Sequence, residues 1–170
     1  MKIYLAGSVP KGDEEEKTFD NWRGRYRDAL EEMFEAECVD PYDRNLDEKD
    51  FLLVVGKDCA EIQESALMIV NAEEKLGAGT AQELVIAKYF KKPVVTVLPK
   101  DTPHRRTNIL FRGQQIDDWI HPFIFAFSDF IIEDITEMYG IKDKIFDTGN
   151  IKDISIIDTA AKYFRNSQVR

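Results

Sequence analysis

Four short apolar runs stand out along the chain, and each ends at a glycine, a proline or a polar residue. Runs this short and this apolar are typical of strands that lie buried inside a sheet. The four runs lie at residues 2–7, 37–40, 67–70 and 93–98.

Between these runs, apolar residues recur with the spacing of a helix. From Phe19 to Phe34 they are three and four positions apart, which predicts one apolar helical face. The acidic residues 13–16 are expected to form the solvated first turn of that helix, where its dipole favours negative charge. Two further helices are predicted at 50–65 and 80–90, although the apolar stretch 51–55 is also compatible with a strand.

The pattern weakens after Pro99. The remaining predicted elements are a polar loop at 101–106, a helix or strand at 119–127, a last strand at 129–133 and a C-terminal helix at 151–164.

The alternation of strands and helices predicts an α/β fold. We expect a flavodoxin-like, doubly wound, three-layer αβα architecture around a five-stranded, mainly parallel sheet. The sequence contains neither internal repeats nor low-complexity segments, so we expect residues 1–170 to form a single domain.

Composition narrows the possible partners. The 170 residues include 23 Lys and Arg against 32 Asp and Glu, which gives a formal net charge of −9. A nucleic-acid polymer is therefore not expected as a partner, because its binding needs a basic surface. No apolar run approaches the roughly 18 residues of a membrane span, and the first residues lack a secretory pattern. We expect a cytoplasmic protein without a membrane partner.

The cysteines and histidines do not suggest a metal centre. Cys38 and Cys59 form no CxxC pair, and His104 and His121 lie far from both in sequence. We therefore expect no metal and no organic cofactor, and we expect neither histidine to be catalytic.

Ligands of such folds bind beyond the carboxyl ends of the strands, and the segment 77–84 is the most informative one there. Gly77 and Gly79 allow the backbone to approach a ligand closely, and the following helix start suits an anion. The segment is neither a Walker A motif nor a dinucleotide fingerprint. Thr80 and Glu83 have the spacing of a capping box. On the pattern alone, Glu83 is either a helix cap or a catalytic carboxylate.

Asp58 is the second candidate carboxylate. Taken alone it is most simply an exposed acid on a helix, but beside Glu83 it would be placed to handle a proton.

The chain resembles the nucleoside 2-deoxyribosyltransferase family, including its 2'-deoxynucleoside 5'-phosphate N-hydrolase relatives. The resemblance covers roughly residues 1–100 through ordered pieces that are individually weak. Those pieces are Lys2-Ile-Tyr-Leu-Ala-Gly-Ser8, Asp58, Gly79-Thr-Ala-Gln-Glu-Leu84, Ala87 and Lys92-Pro-Val-Val95, with a thinner match at Phe111-Arg-Gly113.

The resemblance implies cleavage of the N-glycosidic bond of a (deoxy)nucleoside or its 5'-monophosphate, with transfer to a base or to water. It implies that Glu83 is the nucleophile and forms a glycosyl ester, that Asp58 helps to position and protonate, and that Tyr4 lies close to both. Gly7 and Ser8 would line the sugar or its 5' end. A retaining displacement needs an ionised carboxylate, and we expect the helix start to keep Glu83 ionised near neutral pH.

Further substrate contacts are expected from the loops after the strands. Lys11 and Arg112 are the best phosphate partners, and Asn108 takes the place of a family serine that binds the 5'-phosphate, sometimes across a subunit boundary. Asn71 either contacts a ligand or caps its own loop. The remaining predicted substrate-binding residues are Gly77, Gly79 and Thr80.

Several alternatives remain open at this stage. Asp40, Tyr42 and Arg44 either reach the base or form an exposed turn. A non-catalytic nucleotide sensor on the same fold is a second hypothesis, and a phosphoribohydrolase acting on cytokinin-type nucleotides is a third. The aromatic residues at 119–130 are more typical of a core or a dimer interface than of a base-stacking platform. We expect a homodimer or a larger homo-oligomer, since completing the pocket would need a neighbouring subunit.

Overall fold

The computed structural model describes residues 1–43 and 45–168. In chain order, its strands and α-helices are β1 (Lys2–Ala6), α1 (Asp13–Glu16), α2 (Trp22–Phe34), β2 (Glu37–Val39), α3 (Phe51–Glu64), β3 (Leu67–Asn71), α4 (Ala78–Tyr89), β4 (Val94–Val97), β5 (Arg105–Phe111), β6 (Gln114–Ile120), α5 (Pro122–Phe127), β7 (Phe130–Ile132), α6 (Met138–Ile141) and α7 (Ile156–Ser167). Short 3-10 turns lie at Ile135–Glu137, Lys142–Lys144 and Thr148–Asn150.

The main sheet has five parallel strands in the order β2-β1-β3-β4-β7. Successive residues of β1 point to opposite faces, as strand geometry requires. Ile3 and Leu5 pack in one apolar cluster with α2, whereas Tyr4 and Ala6 pack in another with α3 and α4. The sheet is thus covered on both sides, which confirms the predicted three-layer, flavodoxin-like α/β fold.

The strand order reverses at β1, which lies between β2 and β3. The connection from β1 leads outward to β2, and the chain then crosses back to β3 on the other side. The loops after β1 and β3 therefore diverge at the carboxyl edge of the sheet and leave a crevice between them.

The predicted start of the first helix was wrong. The acidic residues form a separate one-turn helix, α1, and α2 begins only at Trp22. Phe19 lies before α2 and packs against the apolar cluster beneath it. The acidic turn is therefore independent of the dipole of α2 and lies at the end of the loop that follows β1.

The prediction for residues 101–127 was also wrong in part. Residues 105–120 form an antiparallel hairpin, β5–β6, that is separate from the main sheet. Its two-residue turn is Arg112-Gly113, with φ of 51° and 79°, which is the left-handed backbone of the turns that suit hairpins. Pro122 then starts α5, so the stretch 119–127 divides into the end of a strand and a short helix.

A buried ion pair fastens α4 to the sheet. The Lys88 ammonium contacts the Asp129 carboxylate, and neither side chain is exposed. The same carboxylate accepts hydrogen bonds from the backbone N–H of Val94 at 2.7 Å and of Lys152 at 2.7 Å. One group thus joins the helix that bears Glu83 to the start of β4 and to the C-terminal segment.

In the part of the chain that the structure describes, no helix is long and apolar enough to cross a membrane.

Candidate active site

Glu83 lies in the second turn of α4, at the carboxyl edge of the sheet. The helix begins at Ala78 with Gly77 as its N-cap, so Thr80 is already inside it and the capping-box interpretation is wrong. Only 8% of Glu83 is exposed. Its Oε1 accepts a hydrogen bond from the Tyr4 hydroxyl at 2.7 Å, which leaves the carboxylate bound to a side chain of the central strand rather than to its own helix start.

Tyr4 is fully buried in β1, between Val39 of β2 and Met68 of β3. Burial and the neighbouring Glu83 and Asp58 carboxylates raise the pKa of its hydroxyl far above the usual range. Tyr4 is therefore a neutral, fixed hydrogen-bond donor. Because it occupies one oxygen of Glu83, it orients that carboxylate.

Asp58 lies on α3 and lines the same cavity as Glu83. It is half-buried, and that burial raises the pKa of its carboxyl, while the neighbouring Lys57 opposes the rise. The sequence interpretation of Asp58 as a simple exposed acid is therefore not what the structure shows. A carboxyl that is harder to ionise is suited to giving a proton.

The ionisation of Glu83 is not what the helix start suggested. Burial raises the pKa of its carboxyl to about 7, and the charges of Asp58 and Glu61 act in the same direction. The Tyr4 hydrogen bond and the Arg23 charge lower it. Desolvation of the buried carboxyl therefore outweighs the Tyr4 hydrogen bond and the Arg23 charge. Glu83 exchanges its proton close to neutral pH.

Most of the predicted site residues share one cavity of about 370 Å³. The loop after β1, the start of α4 and one face of α3 supply its polar wall. The predicted residues that line it are Gly7, Ser8, Lys11, Asp58, Gly77, Gly79, Thr80 and Glu83.

An apolar side of this cavity was not anticipated from the sequence. It comprises Val9, Pro41, Leu46 and Val54, with Tyr42 beside them. The Tyr42 hydroxyl donates a hydrogen bond to Glu16 at 2.9 Å, so the acidic turn α1 is tied to the loop after β2. The cavity thus combines a polar, carboxylate-bearing side with an apolar side.

Of the other residues considered for a base contact, Tyr42 therefore reaches the cavity, whereas Asp40 pairs with Arg23. Arg44 lies outside the described residues.

Asn71 faces a second, adjoining cavity of about 310 Å³, which shares Ser8 and Lys75 with the first. Its side-chain oxygen accepts a hydrogen bond from the Glu73 backbone N–H at 2.9 Å. Of the two roles open from the sequence, the structure therefore shows the loop cap. The adjoining cavity is rich in carboxylates, contributed by Glu15, Asp20, Glu73 and Glu74.

Asn108 and Arg112 do not line either cavity in this chain. Asn108 lies on β5 and Arg112 in the hairpin turn, both exposed. They belong to an element that the sequence did not predict, and the hairpin carries them away from the start of α4.

The histidines have structural positions. His104 Nε2 accepts a hydrogen bond from the Leu76 backbone N–H at 2.9 Å, and burial together with His121 lowers the pKa of its imidazole. Neither histidine lines the cavity that holds Glu83. Among the described residues no group of three His, Cys, Asp or Glu side chains is placed to hold a metal ion.

The residue that sequence reasoning missed most clearly is Arg23. It is 1% exposed, on the inner side of α2. Its position between Trp22 and Tyr26, on the predicted apolar face, was the one available signal, because an arginine there has to find buried partners.

Solved structures of similar fold include two enzymes. A 2-deoxyribosyltransferase from Bacillus psychrosaccharolyticus is 20% identical, with 90% of this chain and 98% of that chain covered and a TM-score of 0.51. A 2-deoxyribosyltransferase from Leishmania mexicana is 16% identical, with 84% of this chain and 97% of that chain covered and a TM-score of 0.57. A CMP N-glycosidase from Clostridium botulinum, 18% identical over 84% of this chain and 98% of that chain, superposes more loosely, with a TM-score of 0.47.

The likeness to the two deoxyribosyltransferases shows the fold, over nearly the full length of each. No protein-family model matches the chain, and no curated protein matches it in sequence.

Proposed function

We propose that this protein is an enzyme of the nucleoside 2-deoxyribosyltransferase family that cleaves the N-glycosidic bond of a nucleoside. The observation that carries the proposal is Glu83 itself. It is a buried carboxylate held by Tyr4, in a cavity that also contains Asp58, at the switch point of an α/β sheet. The two deoxyribosyltransferases of the same fold support the assignment.

In the first step the two carboxyl groups take different roles, and the reactive state is the one in which Glu83 is ionised and Asp58 holds the proton. The free oxygen of ionised Glu83 attacks the anomeric carbon of the sugar, and the carbon–nitrogen bond to the base breaks. The electron pair of that bond goes to the base nitrogen, which takes a proton from Asp58. The products are a free base and a glycosyl ester on Glu83.

The second step reverses the roles. Ionised Asp58 takes the proton of an incoming water or of a second base, which attacks the same carbon and releases Glu83. Transfer and hydrolysis therefore differ only in the acceptor. Tyr4 stays neutral throughout and keeps one oxygen of Glu83 occupied, so that the other is presented to the sugar.

The two sides of the cavity suit the two parts of a nucleoside. The apolar side formed by Pro41, Leu46 and Val54 suits a planar base. The polar side, with Ser8, Lys11 and the free N–H groups at the start of α4, suits the sugar hydroxyls.

The charges around the cavity favour a neutral nucleoside over its 5'-monophosphate. Among the described residues, the cations that line it are Lys11 and Lys75, against the carboxylates of Asp43, Glu48, Asp58 and Glu83. The backbone N–H of Lys11, which would suit a phosphate oxygen, already donates to Glu15 at 2.8 Å. A phosphate would have to displace one carboxylate and approach several others.

Self-association is the remaining part of the proposal. The first half of α3 exposes Phe51, Leu52, Leu53 and Val55, and Val54 between them lines the cavity. An exposed apolar surface of this kind marks an interface. We propose that two copies of the chain pair through it, next to the site.

The test is release of free base, measured by chromatography. Each nucleoside and its own 5'-monophosphate are incubated separately with the protein, with and without an acceptor base. We expect release from nucleosides by the wild-type protein and by Glu32→Gln, which alters an exposed carboxylate of α2. Glu83→Gln should reduce the rate at least a thousandfold, because the nucleophile is lost.

Three results would count against the proposal. A Glu83→Gln protein that keeps the wild-type rate overturns the mechanism. Nucleoside binding without base release by the wild-type protein favours the non-catalytic sensor instead, and preference for monophosphates overturns the substrate assignment.

A further inference from the structure

Arg23 is a deeply buried cation beside the loop after β1, and no step of the mechanism above uses it. Its guanidinium donates hydrogen bonds to the backbone oxygens of Ser8 at 3.0 Å and Gly7 at 3.3 Å. Both residues line the cavity. The Trp22 indole N–H also donates to the Ser8 oxygen, at 3.4 Å, so two neighbouring side chains of α2 hold the loop after β1.

The loop has little freedom to lie elsewhere. A Cβ on Gly7 would come within 2.5 Å of the Trp22 ring, so only glycine allows this close approach. The Arg23 guanidinium in turn lies 4.3 Å from the centroid of the same ring, a distance at which cation and aromatic face attract. Trp22, Gly7 and Arg23 thus form one packed unit under the polar wall.

Arg23 also links this loop to the loop after β2. Its Nε lies 3.0 Å from Asp40 Oδ1, as an ion pair without hydrogen-bond geometry. The same Asp40 oxygen accepts a hydrogen bond from the Tyr42 backbone N–H at 3.0 Å, and Tyr42 lines the cavity. One buried charge therefore joins two walls of the site.

We propose that Arg23 is a positioning residue for the polar wall of the cavity that holds Glu83. It fixes the loop of Gly7 and Ser8 against the cavity and ties it to the loop after β2, and its permanent positive charge acts on the nearby carboxyl groups. The reaction step that it serves rests on the function proposed above, whereas its hold on the loop and its charge do not.

The electrostatic part agrees with the ionisation of Glu83. The groups that act on the ionisation of Glu83 are Tyr4 from β1, Asp58 and Glu61 from α3, and Arg23 from α2, and Lys11 and Lys75 line the same cavity. Of the first four, Tyr4 and Arg23 lower the pKa of Glu83, and the two acids raise it. Arginine stays charged at any working pH, so its effect is constant.

Two opposite substitutions separate this role from a merely structural one. Arg23→Met removes the charge and should raise the pKa of Glu83. Asp40→Asn removes the partner that neutralises Arg23 and should lower the pKa of Glu83. The Asp40 side chain is 30% exposed, so the second protein is expected to fold even where the first does not.

Arg23→Lys is the conservative control. It keeps the positive charge, so the pKa of Glu83 should stay near the wild-type value. A single ammonium lacks the planar fork that reaches both carbonyl groups. The loop should therefore loosen, and KM for the nucleoside should rise by roughly tenfold at nearly unchanged kcat.

The pKa is measured by carbon-13 NMR titration of protein labelled at glutamate carboxyls, with Glu83→Gln to assign the signal. Opposite shifts of the Glu83 pKa in Arg23→Met and Asp40→Asn support the proposal. If Arg23→Met does not fold, the proposal is supported by a lowered Glu83 pKa in Asp40→Asn together with an unchanged one in Arg23→Lys. Shifts of the same sign in the first pair, or an unmoved Glu83 pKa in Asp40→Asn, overturn it. The titration needs no turnover, so it tests the role of Arg23 even in a protein that releases no base. Absence of base release would contradict the proposed function alone.

Discussion

At the scale of single residues, the site depends on a balance between desolvation and a few directed contacts. Glu83 is buried enough to be hard to ionise, yet Tyr4 donates a hydrogen bond to it and the charge of Arg23 lowers its pKa. A carboxylate nucleophile with a pKa near 7 is ionised in about half of the molecules at neutral pH, and it is more basic than an exposed carboxylate. The tuning therefore favours reactivity over full ionisation.

Tyr4→Phe tests this balance through pH. Loss of the Tyr4 hydrogen bond removes a contact that lowers the pKa of Glu83, so the pKa rises above about 7. The ionised form is the attacking form, so at pH 7 the first-step rate should be several-fold below that of the wild type, and this deficit should shrink at higher pH, where Glu83 is ionised in both proteins. Rapid-quench measurement of base release across pH checks this.

The matched control is Tyr26→Phe, which removes a hydroxyl that donates to Glu73 at 3.0 Å. That substitution should leave the pH profile of base release unmoved. An identical profile for Tyr4→Phe and the wild type would show that the hydrogen bond does not set the ionisation of Glu83.

The order of strands and helices predicted that Glu83 and the glycines lie together at the carboxyl edge of the sheet, with Asp58 on the helix that precedes β3. It did not reveal Arg23, since an arginine in a helix ordinarily lies in solvent and its buried partners are carbonyls of a distant loop. Nor did it reveal the pKa of Glu83, which depends on burial.

At the scale of elements, the central strands were predictable and the hairpin was not. Strands β1, β3 and β4 are buried on both faces, and such strands are recognisable as apolar runs. Strands β5 and β6 are mostly exposed and carry many polar residues. Their turn is Arg-Gly rather than the Asn-Gly that signals a hairpin.

The attachment of α4 predicts a large effect of one buried substitution. Lys88→Met leaves the Asp129 carboxylate buried without its counter-ion. Its remaining partners are backbone N–H groups, so we expect a loss of about 3–5 kcal/mol in the free energy of unfolding. Urea denaturation measures it.

Lys100→Met is the comparison, because Lys100 pairs with Glu133 at a site where both side chains are about half exposed. Its loss should cost less than about 1 kcal/mol. Equal costs for the two substitutions would contradict the view that the buried pair anchors the helix.

At the scale of the whole molecule, net charge and local chemistry have to be reconciled. A net charge of −9 repels anions at long range, and the cavity itself carries more acids than bases. A neutral nucleoside meets neither obstacle. The excess of acidic residues is therefore consistent with the neutral substrate proposed for the site, as well as with the expectation that nucleic acids are not partners.

The exposed half of α3 predicts a dimer in solution. Phe51 and Leu52 are 70% and 71% exposed, so Phe51→Glu with Leu52→Glu should place charges in the interface and give a monomer. Sedimentation velocity measures the mass of the particle. Tyr163→Glu with Phe164→Glu, on the exposed face of α7, should leave the dimer intact.

A wild-type protein that sediments as a monomer would contradict the dimer, and so would dissociation by the α7 pair alone. The sequence suggested self-association and offered the aromatic residues at 119–130 as a core or a dimer interface, but it did not point to the start of α3. The apolar stretch at 51–55 was ambiguous between helix and strand, and only its exposure on α3 distinguishes an interface from a core.

The central claim is a covalent bond between Glu83 and the sugar. Rapid acid quench during turnover of a nucleoside, followed by peptide mass spectrometry, tests it directly. The account predicts a mass increase of one pentosyl group on the peptide that carries Glu83, absent in Glu83→Gln. Base release at the wild-type rate with an unmodified Glu83 peptide, or with the sugar on another residue, would contradict it.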